Sequence, residues 1–555
     1  MNAYSDQLSN IIKLHKEGNF NASIPIIKKI LENDNNNTEL LKLLSFTELQ
    51  IGNINESLKT INKAISIKPD VAEYYLIRGF SHMKNEDYKI AIKDFEKAIG
   101  KDSNLKDAYF NAGVAYSKIN ELQKSVNCYN KVLELDPNDN RAYTNLAYVK
   151  VDMNNYESAL DEVNKSIKID NKNLNLYLLR GNINKDLKNF NEAKLDFDKV
   201  ISDSKNSNNL VFYYEGLYNK SLLELLLGNY NEGWDLYENR FHIEEHQKFE
   251  QFKQKEIFHK IIKKEIPYLN KIENLKGSKI LVICEQGVGE HVIFLPLISE
   301  AAEIAQSVTL LIDSRLIPLC KRSFKDIIFL PLDNKDLQHD EYKNKLSELE
   351  KTKFDYQISV GSLPRFFRKN VQDFNKTPKK FLKVNNKLSN DIKKELNIKQ
   401  NKKIVGISWR SFKSSLRYFK NIELKELGLI FKNLEIELVN LQYGEVDDEI
   451  NDFIKKTNIV IHKIKHDIKK NLDALTSLID LCDLVVSTDS VTVRLSGAIN
   501  KETWLLIPNV STFFYQLNTI DCLWNPCIKL YRQDKKADWT NILNDMRQDL
   551  IKRYN

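Results

Sequence analysis

Asn85-Glu-Asp-Tyr-Lys-Ile-Ala91 is one of seven variants of a single phrase in this chain. The others are Gly18-Asn-Phe-Asn-Ala-Ser23, Gly52-Asn-Ile-Asn-Glu-Ser57, Asn120-Glu-Leu-Gln-Lys-Ser125, Asn154-Asn-Tyr-Glu-Ser-Ala159, Lys188-Asn-Phe-Asn-Glu-Ala193 and Gly228-Asn-Tyr-Asn-Glu-Gly233. Their last residues are all small and are expected to close the turn between two helices. Five intervals of 34 residues separate them, then one of 40, the excess lying in the polar run 202–209. Gly79, Gly113 and Gly181 stand twelve residues before three of these closing positions, where two helices are expected to approach closely. Four residues after each closing position comes an apolar knob: Ile27, Ile61, Phe95, Tyr129, Val163, Phe197 and Tyr237. Pro69 and Pro137 fall where second helices should stop.

A unit of this kind cannot bury its apolar face alone. Stacked, the units make one continuous core and a curved solenoid with a concave wall. A period of 34 resembles the tetratricopeptide repeat, and the array is placed at residues 1–241. Its concave wall is expected to hold a protein or peptide. Asn111, Asn145 and Arg180 are the candidate contacts, because side-chain amides both donate to and accept from an extended backbone. An ordinary packing or solvated role for each stays open.

The chain has 555 residues, more than one core serves, so several domains are expected. Net charge is +7 from 83 basic and 76 acidic side chains, with no basic stripe, which disfavours nucleic acid as a partner. Six cysteines show no CxxC spacing and fit a reducing compartment. His242 and His246 are spaced as metal ligands, but Ile243 stands where a metalloprotease motif has Glu, and no metal site is expected. No run is long and apolar enough to span a bilayer, and no leader is visible at the N-terminus, so a cytoplasmic protein is expected.

A linker is expected at 242–277. Beyond it the period-34 pattern gives way to short apolar runs alternating with helical segments. Strands are predicted at 280–283, 308–312, 327–330 and 355–360, then, after a polar Lys-rich passage, at 404–408, 436–441, 459–461, 484–487 and 503–507. Two such blocks predict two Rossmann-like α/β lobes, at 278–385 and 400–535, followed by a C-terminal helix at 536–555. Gly287 and Gly289 sit in a Gly-rich turn between strand and helix.

Several phrases of this half occur in order in one family. They are GWDLYENRF (233–241), CEQGVGEHVIFLP (284–296), DSRLIPLCKRSF (313–324), VGISWRS (405–411), NLQYGE (440–445), DLVVSTDSVTVRLSGAINKETWLLIP (483–508) and LYRQDKKADW (530–539). The chain resembles bacterial tetratricopeptide-linked glycosyltransferase-like proteins, whose second half is related to the heptosyltransferases of GT-B type. The resemblance implies an acceptor on the first lobe and a nucleotide sugar on the second. It implies no cofactor beyond that substrate, and no metal. The expected function is sugar transfer to a protein or glycan hydroxyl. The alternative is a non-catalytic scaffold for protein–protein interaction.

The donor diphosphate would need helix N-termini and cations. Thr488, Asp489 and Ser490 follow a strand and open a helix, and Arg494 lies one turn into it. Arg410, Lys413 and Arg417 form a second basic group, and Gln442 completes the donor-binding set. Glu290 is the candidate general base, at the position where the resemblance implies an Asp. Other readings stay open: Glu290 as a helix N-terminal carboxylate, Asp489 as a helix cap, Arg417 as a surface charge, Trp409 as packing. The chain departs from the family pattern at Glu290, at Arg494 in place of His, at Asn500 in place of Gly, and after Pro508.

Overall fold

The structure is a computed structural model; it describes residues 2–243, 266–332, 353–398, 402–411, 421–517, 519–534 and 538–554. The chain divides into two compact units, Met1–Leu187 and Lys188–Asn555.

The first unit is helical throughout its described length, from Asn2–Lys16 to Leu174–Asp186. Each hairpin turns on one left-handed residue: Gly18, Gly52, Glu86, Asn120 and Asn154, and Lys188 and Gly228 do the same in the second unit. The residue five places before the last, not the last itself, therefore makes the turn: the first of the phrase in six repeats and the second, Glu86, in the one that begins at Asn85. The last residue lies inside the second helix. Ser57, fully buried, touches Ser45 Oγ at 2.9 Å and Ser81 Oγ at 3.0 Å, so it is small because three helices meet there. The glycines accept the knobs. A Cβ on Gly79 would lie 2.5 Å from the Phe95 ring, and one on Gly113 2.8 Å from the Tyr129 ring. Asn37, Asp139, Asn155 and Asn173 cap helices by accepting backbone N–H groups.

The second unit begins with helices Phe190–Asn206, Leu210–Leu226 and Tyr230–Tyr237. Sequence reading ended the array at 241. By contacts the chain divides after Leu187, and Tyr230, Trp234 and Tyr237 share one core with both of the sheets that follow.

The first sheet holds β1 (Lys279–Ile283), β2 (Ser307–Ile312), β3 (Ile327–Pro331) and β4 (Tyr356–Ser359) in the order β3-β2-β1-β4, all parallel. The second holds β5 (Lys403–Ser408), β6 (Ile436–Asn440), β7 (Ile461–His462), β8 (Leu484–Thr488), β9 (Thr503–Ile507) and β10 (Ile528–Arg532) in the order β10-β9-β8-β5-β6-β7, also all parallel. Such strands, covered on both faces, read as continuous apolar runs, and β8 and β9 are buried at every position. The strand predicted at 459–461 is only Ile461–His462. β10 was not predicted: as an edge strand it carries the polar, partly exposed Lys529 and Arg532, which interrupt its apolar run.

The helix Val288–Ile304, which leaves β1, packs against the helix Val491–Ala498, which leaves β8. That contact brings the carboxyl ends of the two sheets together. The C-terminal helix Thr540–Tyr554 covers the other face of the second sheet through Ile542, Leu543, Met546 and Leu550.

Candidate functional site

In an open parallel sheet, ligands bind outside the carboxyl ends of strands where the connections diverge to opposite sides. Here those points lie between β1 and β4 and between β5 and β8. The loops there are Cys284–Gly289 with Val360–Ser362 in the first sheet, and Trp409–Arg410 with Asp489–Ser490 in the second.

Glu290 stands in the first turn of Val288–Ile304 and is half-buried. Its carboxylate folds back over the turn, so a Cβ on Gly287 would lie 2.7 Å from Glu290 Oε2. A Cβ on Gly289 would lie 3.4 Å from Arg494 Cγ. Both glycines thus let the turn close over neighbouring side chains.

Arg494 is only 4% exposed. Its Nη2 donates to Asp489 Oδ1 at 3.1 Å, and its guanidinium lies 4.9 Å from both the Phe514 and Tyr515 rings. Its Nη1 has no hydrogen-bond partner among the described residues. Burial opposes its charge, but Tyr515, Asp489 and Glu290 more than offset this and raise its pKa. Tyr515 Oη also donates to Asp489 Oδ1, at 2.7 Å. Burial, first, and the Asp489 charge push that phenol's pKa well up. The helix cap is Ser490, whose side chain makes no capping bond; Asp489 holds Arg494 and Tyr515 instead. Thr488 is fully buried, and its Oγ1 lacks a partner among the described residues.

The other expected donor residues are not brought to this place alike. Gln442 is 1% exposed, and its Oε1 accepts from Ser408 Oγ, Trp409 N and Arg410 N. Its Nε2 donates to Tyr443 O. It shapes the loop after β5, and it also borders the cavity next to that loop. Arg410 pairs with Glu449 at 2.8 Å, and Trp409 is buried and donates to the same carboxylate. Lys413 and Arg417 lie outside the described residues. Beside Gln442 opens a cavity of about 580 Å³ lined by Tyr443, Lys463, His466 and Lys469, among others, which sequence reading did not single out.

Sequence reading also missed Arg240, although it lies in the quoted GWDLYENRF phrase. It is 1% exposed. Nη2 donates to Glu285 Oε1 at 2.7 Å and to Ser362 Oγ at 2.8 Å; Nη1 donates to Glu238 Oε1 at 2.8 Å. Glu285 Oε1 also accepts from Gly361 N at 3.2 Å. A Cβ on Gly361 would lie 2.7 Å from that oxygen, so any larger residue would have to displace the Glu285 carboxylate. Buried ion pairs of this kind persist where hydrogen bonds satisfy both partners.

On the repeat wall, Asn111 is 6% exposed and donates Nδ2 to Asp107 O at 2.6 Å, within its own helix. Asn145 donates to Arg141 O at 2.9 Å and stays half-exposed. Arg180 donates to Asn164 Oδ1 at 3.0 Å and lies over Tyr177. His242 stacks on Tyr214 at 4.1 Å, and His246 lies outside the described residues. Among the described residues no His, Cys, Asp and Glu cluster fit for a metal is present, and no helix is long and apolar enough to cross a membrane.

Residues 72–104, 107–139, 141–173 and 174–202 each match a family model of the tetratricopeptide repeat. These are tetratricopeptide repeats. A tetratricopeptide array is a protein–protein interaction scaffold, and its partner is a peptide or protein. Over 332 residues the chain is 25% identical to Protein FlbA of Caulobacter vibrioides (strain ATCC 19089 / CIP 103742 / CB 15), a match over 58% of this chain and 52% of that protein. The chain thus spans about half the length of the curated relative it matches. Several solved structures align with the chain. MamA is 27% identical, covering 29% of this chain and 94% of its own, with a TM-score of 0.27. YrrB, described as a TPR protein with an unusual peptide-binding site, is 18% identical over 35% of this chain and 98% of its own, with a TM-score of 0.31. MamA 41-end from Desulfovibrio magneticus RS-1 is 17% identical over 30% of this chain and 96% of its own, with a TM-score of 0.28.

Proposed function

We propose that the chain is a glycosyltransferase of GT-B type, in which the two parallel sheets form the acceptor and nucleotide-sugar lobes and the repeats bind the acceptor or a partner. The observation that carries this reading is Arg494, a buried cation with one unsatisfied nitrogen, set against Glu290 where the carboxyl ends of the two sheets meet. The arrangement suits inverting transfer. Arg494 and the N–H groups opening Val491–Ala498 neutralise the leaving diphosphate. Glu290 takes the acceptor proton as the hydroxyl oxygen attacks the sugar's anomeric carbon and its bond to the diphosphate breaks. Thr488 and Ser490 belong to the same donor wall, Arg410 joins it on release from Glu449, and the cavity beside Tyr443 has the size and cations for a nucleotide.

Nucleotide release from a panel of nucleotide sugars tests this. Glu290→Gln should lower turnover by about 100- to 10,000-fold while the protein still binds nucleotide. Absence of turnover with every donor, or an active Glu290→Gln, removes the reading. The alternative is a non-catalytic scaffold in which the sheets bind no nucleotide. Arg240, which fills the diverging point of the first sheet, favours it. Titration with nucleotide diphosphates separates the two, since the scaffold takes up none.

A further inference from the structure

One segment of the last helical hairpin touches both walls of the candidate site. Toward the first sheet, Arg240 binds Glu285 and Ser362, and Tyr237 Oη accepts from Gln286 Nε2 at 3.2 Å. Glu285 and Gln286 open the Gly-rich turn that delivers Glu290. Toward the second sheet, Trp234 and Tyr237 meet the Phe513 ring edge-on, at 5.5 and 5.8 Å. Phe513 packs on Phe514 at 4.3 Å, and Phe514 and Tyr515 face Arg494. Trp234 and Tyr237 are at most 5% exposed. The guanidinium of Arg240 lies 4.0 Å from the Phe241 ring and 4.6 Å from the Tyr237 ring, so the segment is packed upon itself as well.

We propose that Trp234–Phe241 is a working part of the site: Arg240 is the positioning residue for the turn that carries Glu290, and Trp234 and Tyr237 position the aromatic loop that holds Arg494. Arg240 touches no reacting group. It acts through Glu285, which bonds Gly361 N and so ties the β1 loop to the β4 loop. Its Nη1 and Nη2 groups reach Glu285, Ser362 and Glu238 at once, a planar fork that Lys lacks. The diverging point of the first sheet is thereby occupied by the protein itself. A movement of the hairpin Leu210–Tyr237 is felt at both carboxyl ends together. That this affects catalysis rests on the glycosyl-transfer reading; the positioning itself does not.

Hydrogen exchange on the full-length chain tests the proposal with Arg240→Met, Arg240→Met/Glu285→Gln and Tyr237→Phe. Arg240→Met should speed exchange in residues 285–291 and 360–363 by at least about tenfold and leave 1–187 unchanged. The double variant leaves no buried carboxylate uncompensated and should keep the fold with the same local loss. Tyr237→Phe, which removes one hydroxyl, should affect the turn around Gln286 alone. Unchanged exchange in the turn of a folded variant overturns the proposal. So does a uniform rise across the second unit, which marks a general structural pin. If Arg240→Met does not fold, the other two variants decide. Where the wild type turns over a nucleotide sugar, Arg240→Met should lower kcat and leave KM for the donor unchanged. A wild type that turns over none removes the catalytic reading, and the exchange result still stands.

Discussion

Arg494 and Asp489 are both largely buried and pair with each other. Arg494→Met removes the buried cation that Asp489, Tyr515 and Glu290 surround and should cost about 3–5 kcal/mol, read as a lowered urea midpoint. Arg494→Lys, which keeps the charge, should cost less. His291 behaves in the opposite way. It is 2% exposed, its Nε2 contacts Gln286 O at 2.8 Å, and burial pushes its pKa from 6.5 down to about 4. The imidazole is therefore neutral in the folded chain across a range in which the unfolded chain binds a proton. Its share of stability is intact above about pH 6.5 and falls as the pH drops toward 4, by roughly 3 kcal/mol in total. Unfolding measured between pH 7 and 4.5 should show that decline, and His291→Gln should flatten it.

At the level of helices and strands, what could be read from the sequence was whatever repeats or stays continuously apolar. Gly79 with Phe95 and Gly113 with Tyr129 were legible because steric fit recurs at fixed spacing. β8 and β9 were legible because both of their faces are buried. β10 was not, since the partly exposed Lys529 and Arg532 break its apolar run. The candidate site was legible only in part. Glu290, Asp489 and Arg494 follow strand ends in the sequence, but Arg240 lies 45 residues from Glu285, and local pattern does not encode such a pairing. Steric fit also gives a prediction. Gly79→Ala drives a methyl into a fully buried ring and should cost about 1–3 kcal/mol in thermal unfolding. Gly100→Ala, with open space around its Cβ, should instead stabilise by roughly 0.5–1 kcal/mol.

At the scale of the whole chain, the two units differ in how they are held together. The first is built from neighbouring helices, with apolar clusters such as that around Ile27, Leu44, Ile61 and Tyr74 drawn from adjacent hairpins. A fragment ending at Leu187 should therefore fold alone, giving a helical circular-dichroism spectrum and a cooperative unfolding transition. Its absence would show that the array needs the remainder of the chain. The second unit depends on distant partners. β1 must find β4 across a separation of 76 residues, the register running Ile280 to Tyr356. Loop-closure entropy makes such parallel pairings slow, whereas local helical contacts form quickly. On a ribosome the repeats emerge first and can be folded, and open to their partner, while the strands behind them are still unpaired. Binding would then have a head start over any activity of the sheets.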